Sequence, residues 1–140
     1  MKKTVLRTLS LLLVLSFCLS AMAFAGARRT SDYIESCYAY SSKVGGGSVK
    51  ITFDITGTGT MTSIGATKIE IKNSSGTTVK TYKNTDPGFS YMLASNRTSY
   101  ASSVTYPGLA GSSYYAVVYF KAGNSSGSDT DTYTTGYVTA

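Results

Sequence analysis

Histidine and tryptophan are absent from this 140-residue sequence, and cysteine and proline occur only twice each. Each absence closes a route. Without an imidazole, the usual general base near neutral pH and the serine or cysteine triads cannot be assembled. Zinc centres built on histidine or on several cysteines are excluded for the same reason. Charged residues make up only 14% of the chain. Its carboxylates are Asp32, Glu35, Asp54, Glu70, Asp86, Asp129 and Asp131, and no spacing among them selects the acid–base pair that glycoside hydrolysis needs. The expectation is a protein that is not an enzyme and uses no cofactor.

No apolar run reaches the roughly 20 residues of a membrane span. A shorter one is present at the start. Lys2, Lys3 and Arg7 precede Leu9 to Leu19, which is broken only by Ser10 and Ser16. Ala21-Met22-Ala23, Ala23-Phe24-Ala25 and Ala25-Gly26-Ala27 then each satisfy a small-residue cleavage pattern. This order predicts a cleavable secretory signal over residues 1–25, with a cut after Ala27 as the alternative. A short arm, 26–31, and a single domain, 32–140, follow. The expected location is extracellular, with no membrane attachment after cleavage. Cys18 follows Phe17 rather than a small residue and leaves with the signal, so Cys37 becomes the one thiol of the mature chain. It reads either as a small side chain packed within a strand or as an intermolecular bridge.

Removing 25 of 140 residues leaves 115, enough for one domain with its own core. Lys2, Lys3 and Arg7 go with the signal, so 10 of the 13 basic residues remain against 7 acidic ones. The remaining basic residues are scattered along the sequence rather than clustered, and a nucleic-acid partner is not expected.

Tyrosine, threonine, serine, glycine and valine dominate what is left, a mixture suited to pleated strands. In Val49 to Thr56 the apolar residues Val49, Ile51, Phe53 and Ile55 alternate with Lys50, Thr52, Asp54 and Thr56, a period of two that buries one face and wets the other. Further strands are predicted at Asp32 to Ser42, ending at Gly45-Gly46-Gly47, at Ala66 to Lys72, and at Thr77 to Lys83 carrying Val79. Three more follow at Ser99 to Tyr106, at Ser113 to Ala122 as a central strand covered on both faces, and at Thr132 to Thr139. Asn73-Ser74-Ser75-Gly76 reads as a hairpin turn. Seven strands punctuated by Gly, Asn, Ser and Pro predict an all-β, antiparallel, immunoglobulin-like sandwich.

Several residues are candidates for function. Phe89, Met92 and Leu93 fall at helical spacing between Pro87 and Asn96. Together with Tyr91 they read either as an apolar binding loop or as a plug closing one end of the sandwich. Asp129 and Asp131, after Asn124 to Ser128, read either as a cation site on a flexible loop or as a solvated turn. Thr56, Thr58, Thr60 and Thr62 form a short row. All 12 tyrosines lie after the signal segment, and a face carrying several of them, Tyr33 included, would be a contact surface. Asn73, Asn96 and Asn124 each begin an Asn-x-Ser/Thr triplet of the kind found at exposed turns.

The run from Thr105 through Tyr106-Pro107-Gly108-Leu109-Ala110-Gly111 to Tyr114-Tyr115 and Asn124 resembles the E–F corner and F strand of fibronectin type III and related immunoglobulin-like domains. The resemblance implies that Leu109 and Tyr115 hold that corner, with Tyr114 the alternative. It departs from the family in Gly111, where a proline is usual, in lacking a core tryptophan, and in lacking Arg-Gly-Asp. The chain as a whole also resembles short secreted proteins of Gram-positive, clostridia-like bacteria, which implies export and no particular activity. The expected function is a secreted, non-enzymatic binding module at the bacterial cell surface or in the medium, meeting a glycan or a protein. Its alternatives are a secreted effector (a small toxin or enzyme inhibitor) and a self-associating structural surface protein.

Overall fold

In the computed structural model, which describes residues 31–140, Val49, Ile51, Phe53 and Ile55 form one inaccessible face of a strand, as their alternation requires. That strand, β2 (Ser48–Met61), pairs antiparallel with β1 (Ile34–Gly45) on one side and β6 (Arg97–Pro107) on the other. A second sheet has the order β4 (Thr78–Lys83), β3 (Ser63–Asn73), β7 (Ser113–Asn124), β8 (Gly127–Thr134). Two-residue strands complete it: β5 (Leu93–Ala94) on β3 and β9 (Val138–Thr139) on β7. Over the described residues the architecture is an antiparallel β-sandwich of seven long strands and two short ones, three long strands facing four.

The inner faces meet in one core. Phe53 of β2 stands edge-on to Phe120 of β7 with ring centroids 6.1 Å apart, and Ile64, Ile69, Ile71, Val104 and Val118 surround them, fully buried. Each such side chain contributes about 1.5–3 kcal/mol on leaving water. The Gly45-Gly46-Gly47 turn joins β1 to β2 with all three residues at positive φ, a conformation glycine adopts at no steric cost. Gly65 is needed for a different reason. A Cβ there would lie 2.2 Å from the carbonyl oxygen of Met92, so the absent side chain is what lets β5 lie against β3.

Neither pair of facing sheet edges is closed by a backbone ladder; side chains bridge them instead. Along the β4/β6 margin, Tyr82 donates its hydroxyl to the carbonyl of Thr105 and Tyr91 to that of Ser103, each at 3.2 Å. Tyr100 in turn donates to the carbonyl of Tyr91. Unpaired carbonyls on an edge strand invite association with other chains, and here phenols occupy two of those on β6. Along the β1/β8 margin, Ser41 and Thr135 share a hydroxyl hydrogen bond of 2.6 Å. Asp129 accepts from the Ser31 hydroxyl at 2.7 Å and from the Tyr33 backbone N–H at 3.0 Å.

The structure departs from the sequence-based expectations at several places. Gly127 to Asp131 is strand rather than loop, and the chain ends as β8 and β9 instead of one strand over Thr132 to Thr139. In β4 it is Tyr82 that turns inward while Val79 is exposed. A register irregularity between Ile71 and Lys72 shifts the phase of this edge strand. Strand β7 is central, but only the face bearing Tyr114, Ala116, Val118, Phe120 and Ala122 is buried; Tyr115, Val117 and Tyr119 are half-covered. The corner tyrosine is Tyr114, not Tyr115. Tyr114 is buried and its hydroxyl accepts the Leu109 N–H at 3.0 Å, whereas Tyr115 lies on the outer face against Tyr137. Leu109 contributes its backbone to the corner while its side chain is exposed. The readings of residues 1–25 as signal, of the cut near Ala25 or Ala27 and of the arm before residue 31 lie outside the described residues.

Candidate functional site

Strand alternation decides which tyrosines reach solvent. In β1, Ala39 pairs with Phe53 and points inward, so Tyr38, opposite Asp54, and Tyr40, opposite Thr52, point outward. Both keep about half their surface, 53% for Tyr38 and 46% for Tyr40. Their ring centroids are 6.1 Å apart. Across the seam, Tyr133 of β8 meets Tyr38 edge-on at 5.1 Å, and is itself packed against the core. The result is a row of three rings, Tyr40, Tyr38 and Tyr133, anchored at one end by burial and open along its length. Beside it, on the outer face of β2 and β6, stand the small or polar residues Thr52, Asp54, Ala101 and Ser103.

Such a row presents rigid area with polar tips. Tyrosine has few rotatable bonds to immobilise, and these rings already brace one another, so ordering them on contact costs little. Ring faces accept the C–H face of a sugar or an apolar side chain, while the hydroxyls satisfy polar neighbours.

The other candidates are placed differently. Phe89 leans on Tyr82 at 4.9 Å and on Tyr91 at 6.0 Å, and Met92, in the single 3-10 turn Ser90–Met92, is fully enclosed. Leu93 pairs with Gly65 of β3. This segment closes the sandwich; only Tyr91 among the four keeps substantial exposure, and its hydroxyl is committed to Ser103. Tyr33 is half-buried, its hydroxyl end lying where a side chain on Gly127 would otherwise stand. Thr58 and Thr62 of the threonine row donate to the carbonyls of Asp32 and Gly123.

Asp129 and Asp131 share one side of β8 but hold the β1 seam. Asp129 binds Ser31 and Tyr33, and Asp131 accepts from the Cys37 thiol at 3.6 Å and from the Thr132 N–H at 2.7 Å. Among the described residues no group of three or more His, Cys, Asp or Glu side chains could hold a metal ion. Burial, reinforced by the charge of Asp131 and its hydrogen bond, pushes the Cys37 thiol up to about 12. A thiol so protonated is a poor nucleophile.

Sequence reasoning missed two features. A groove of about 470 Å³ at the corner end is lined by Val79, Tyr106, Leu109 and Tyr114 with Asn73 and Ser112. Its residues come from the β3–β4 turn, the β6–β7 connection and the ends of the strands they join, and no local pattern announces it. The second is the outer face of the four-stranded sheet, where Glu70 accepts from Lys68 at 2.9 Å and from the Tyr119 hydroxyl at 3.1 Å, with Lys72 at 3.8 Å. Lys68 also lies 3.8 Å over the Tyr119 ring. These contacts, the Lys68 hydrogen bond first, hold the Glu70 carboxyl below its ordinary range. Compared with known proteins, the chain matches no family model and no curated sequence.

Proposed function

We propose that residues 26–140 act as an exported, non-enzymatic binding module, at the bacterial cell surface or in the medium, that meets a glycan or protein through Tyr38, Tyr40 and Tyr133. The observation that carries this reading is the three-ring row, exposed at Tyr38 and Tyr40 and braced at Tyr133. Two further facts support it. The sequence has no histidine to serve as a base, and its N-terminus carries the charge, apolar run and small residues of an export signal. The effector reading loses ground because the loop it needs is spent on internal contacts: Met92 is enclosed and the Tyr91 hydroxyl caps β6.

The test is sedimentation of the purified segment 26–140 with cell-wall, mucin and polysaccharide fractions at low and high salt. Binding through ring faces is expected with at least one fraction and survives high salt, because screening acts on charges. Replacing Tyr38 and Tyr40 together by Ala is expected to weaken it by at least about tenfold, the loss typical of aromatic anchors. Absence of the protein from every pellet under every condition defeats the reading.

A further inference from the structure

The two outer faces of the sandwich differ in charge, and the difference follows from register. On the three-stranded sheet, Lys50 and Asp54 of β2 balance one another. On the four-stranded sheet, Lys68 and Lys72 of β3, Lys83 of β4 and Lys121 of β7 all fall out of phase with the buried residues Ile69, Ile71, Tyr82 and Phe120, so four lysines share the outer face with one acid, Glu70. The basic residues look scattered in sequence and are gathered by strand pairing.

One pair breaks a rule. Lys68 and Lys83 are direct cross-strand partners, and like charges placed opposite one another destabilise a sheet. Glu70 engages Lys68 and Lys72, while Lys83 and Lys121 form no ion pair among the described residues. Local violations of this kind concentrate at functional positions. The same face shows how it treats a carboxylate, since Glu70 is held by two ammonium groups and a phenol. Beside the lysines stand Tyr115, edge-on to Tyr137 with ring centroids 4.9 Å apart, and three exposed threonines of β8, Thr130 opposite Lys121, Thr132 opposite Tyr119 and Thr134 opposite Val117.

We infer that this face is a second binding surface, independent of the Tyr38 row, and that it takes a polysaccharide bearing carboxylates, a uronic-acid polymer. Charge selects the class: Lys83 and Lys121, without ion-pair partners among the described residues, accept single carboxylates spaced along a chain. No arginine lies on these strands to grip a phosphate by two bonds at once. The threonine hydroxyls and the Tyr115 and Tyr137 rings supply hydrogen bonds and stacking area for the sugar units between charges.

The experiment titrates the purified segment 26–140 with polygalacturonate, with neutral dextran and with duplex DNA, at low and high salt. Polygalacturonate is expected to bind at low salt, to weaken steeply as salt rises, and to bind more tightly than DNA; dextran is expected not to compete at this face. Lys83→Gln with Lys121→Gln should weaken polygalacturonate binding by about thirtyfold, taking a typical contribution for each lysine near an anionic surface. Lys83→Gln alone should raise the melting temperature by relieving Lys68, which separates a ligand role from a structural one. Tyr38→Ala with Tyr40→Ala should leave polygalacturonate binding unchanged, so failure of the Tyr38 row and failure of this face are distinguishable. The inference is overturned by polygalacturonate binding no better than dextran, by binding indifferent to the lysine substitutions, by a lower melting temperature in Lys83→Gln, or by DNA binding as tightly as polygalacturonate.

Discussion

The hydroxyl of Tyr114 accepts the backbone N–H of Leu109 at 3.0 Å, tying the first turn of the β6–β7 connection to the strand that follows it. The Tyr114 ring is also edge-on to Tyr106 of β6 at 5.3 Å. One side chain therefore pins the crossing from the three-stranded to the four-stranded sheet. Tyr114→Phe should cost about 1 kcal/mol, a fall of about 4 °C in melting temperature for a domain of this size. Tyr115→Phe should change it little, because the Tyr115 contact with Tyr137 is made by its ring. Thermal melts of the two variants side by side check this; a larger loss in Tyr115→Phe would reassign the corner.

Gly65 carries the second prediction. Its φ of +150°, and the Met92 carbonyl oxygen only 2.2 Å from where a Cβ would stand, leave no room for a methyl group. Gly65→Ala should destabilise by about 2–4 kcal/mol. At Gly59, where nothing lies within 4 Å, the same change should cost less than about 1 kcal/mol. Denaturant midpoints compared at constant slope distinguish the two.

Cys37 should resist alkylation. With its thiol pushed up to about 12, the thiolate fraction at pH 8 is far below that of an ordinary cysteine. Modification by iodoacetamide should therefore be slow in the folded protein and fast after unfolding. Asp131→Asn, which removes a charge that opposes the thiolate, should speed it. The fold favours the protonated form, so this group's contribution to stability is complete below about pH 9 and is lost as pH rises toward about 12. Fast alkylation of the folded wild-type protein would contradict this.

Glu70 behaves in the opposite sense. Lys68 foremost, then Tyr119, lowers its folded pKa below the ordinary 4.5, so the unfolded chain takes up the proton first as pH falls. The network's contribution is present above about pH 4.5 and declines as pH drops through the lowered value. Glu70→Gln should flatten the acid limb of the stability curve. Carboxyl resonances followed during acid titration give the value directly, and a Glu70 pKa at or above 4.5 would refute the network.

The strands most legible in the sequence are those whose two faces differ in chemistry. Val49 to Thr56 and Ala66 to Lys72 announce themselves because one face meets the core and the other meets water. Gly127 to Asp131 gives no such signal: this edge strand is polar on both sides, and its partners Ser31 and Tyr33 lie 98 and 96 residues away from Asp129. The choice between Tyr114 and Tyr115 is decidable in principle, since Tyr114 shares its phase with Ala116, Val118 and Phe120. For the candidate site, the outward aim of Tyr38 and Tyr40 follows from their phase opposite Ala39. The approach of Tyr133 does not, because it arises where two sheet margins meet without a backbone ladder. The lysine face is hidden for a related reason: residues 68, 83 and 121 become neighbours only through pairing.

The aromatic contact surface is tested most directly by mapping tyrosine ring resonances while a sedimenting polysaccharide or mucin fraction, rendered soluble, is added to the segment 26–140. Tyr38, Tyr40 and Tyr133 are expected to shift together and saturate together at high salt, while the buried Tyr82 and Tyr114 hold still. Saturating binding at high salt that leaves those three rings unmoved would contradict it.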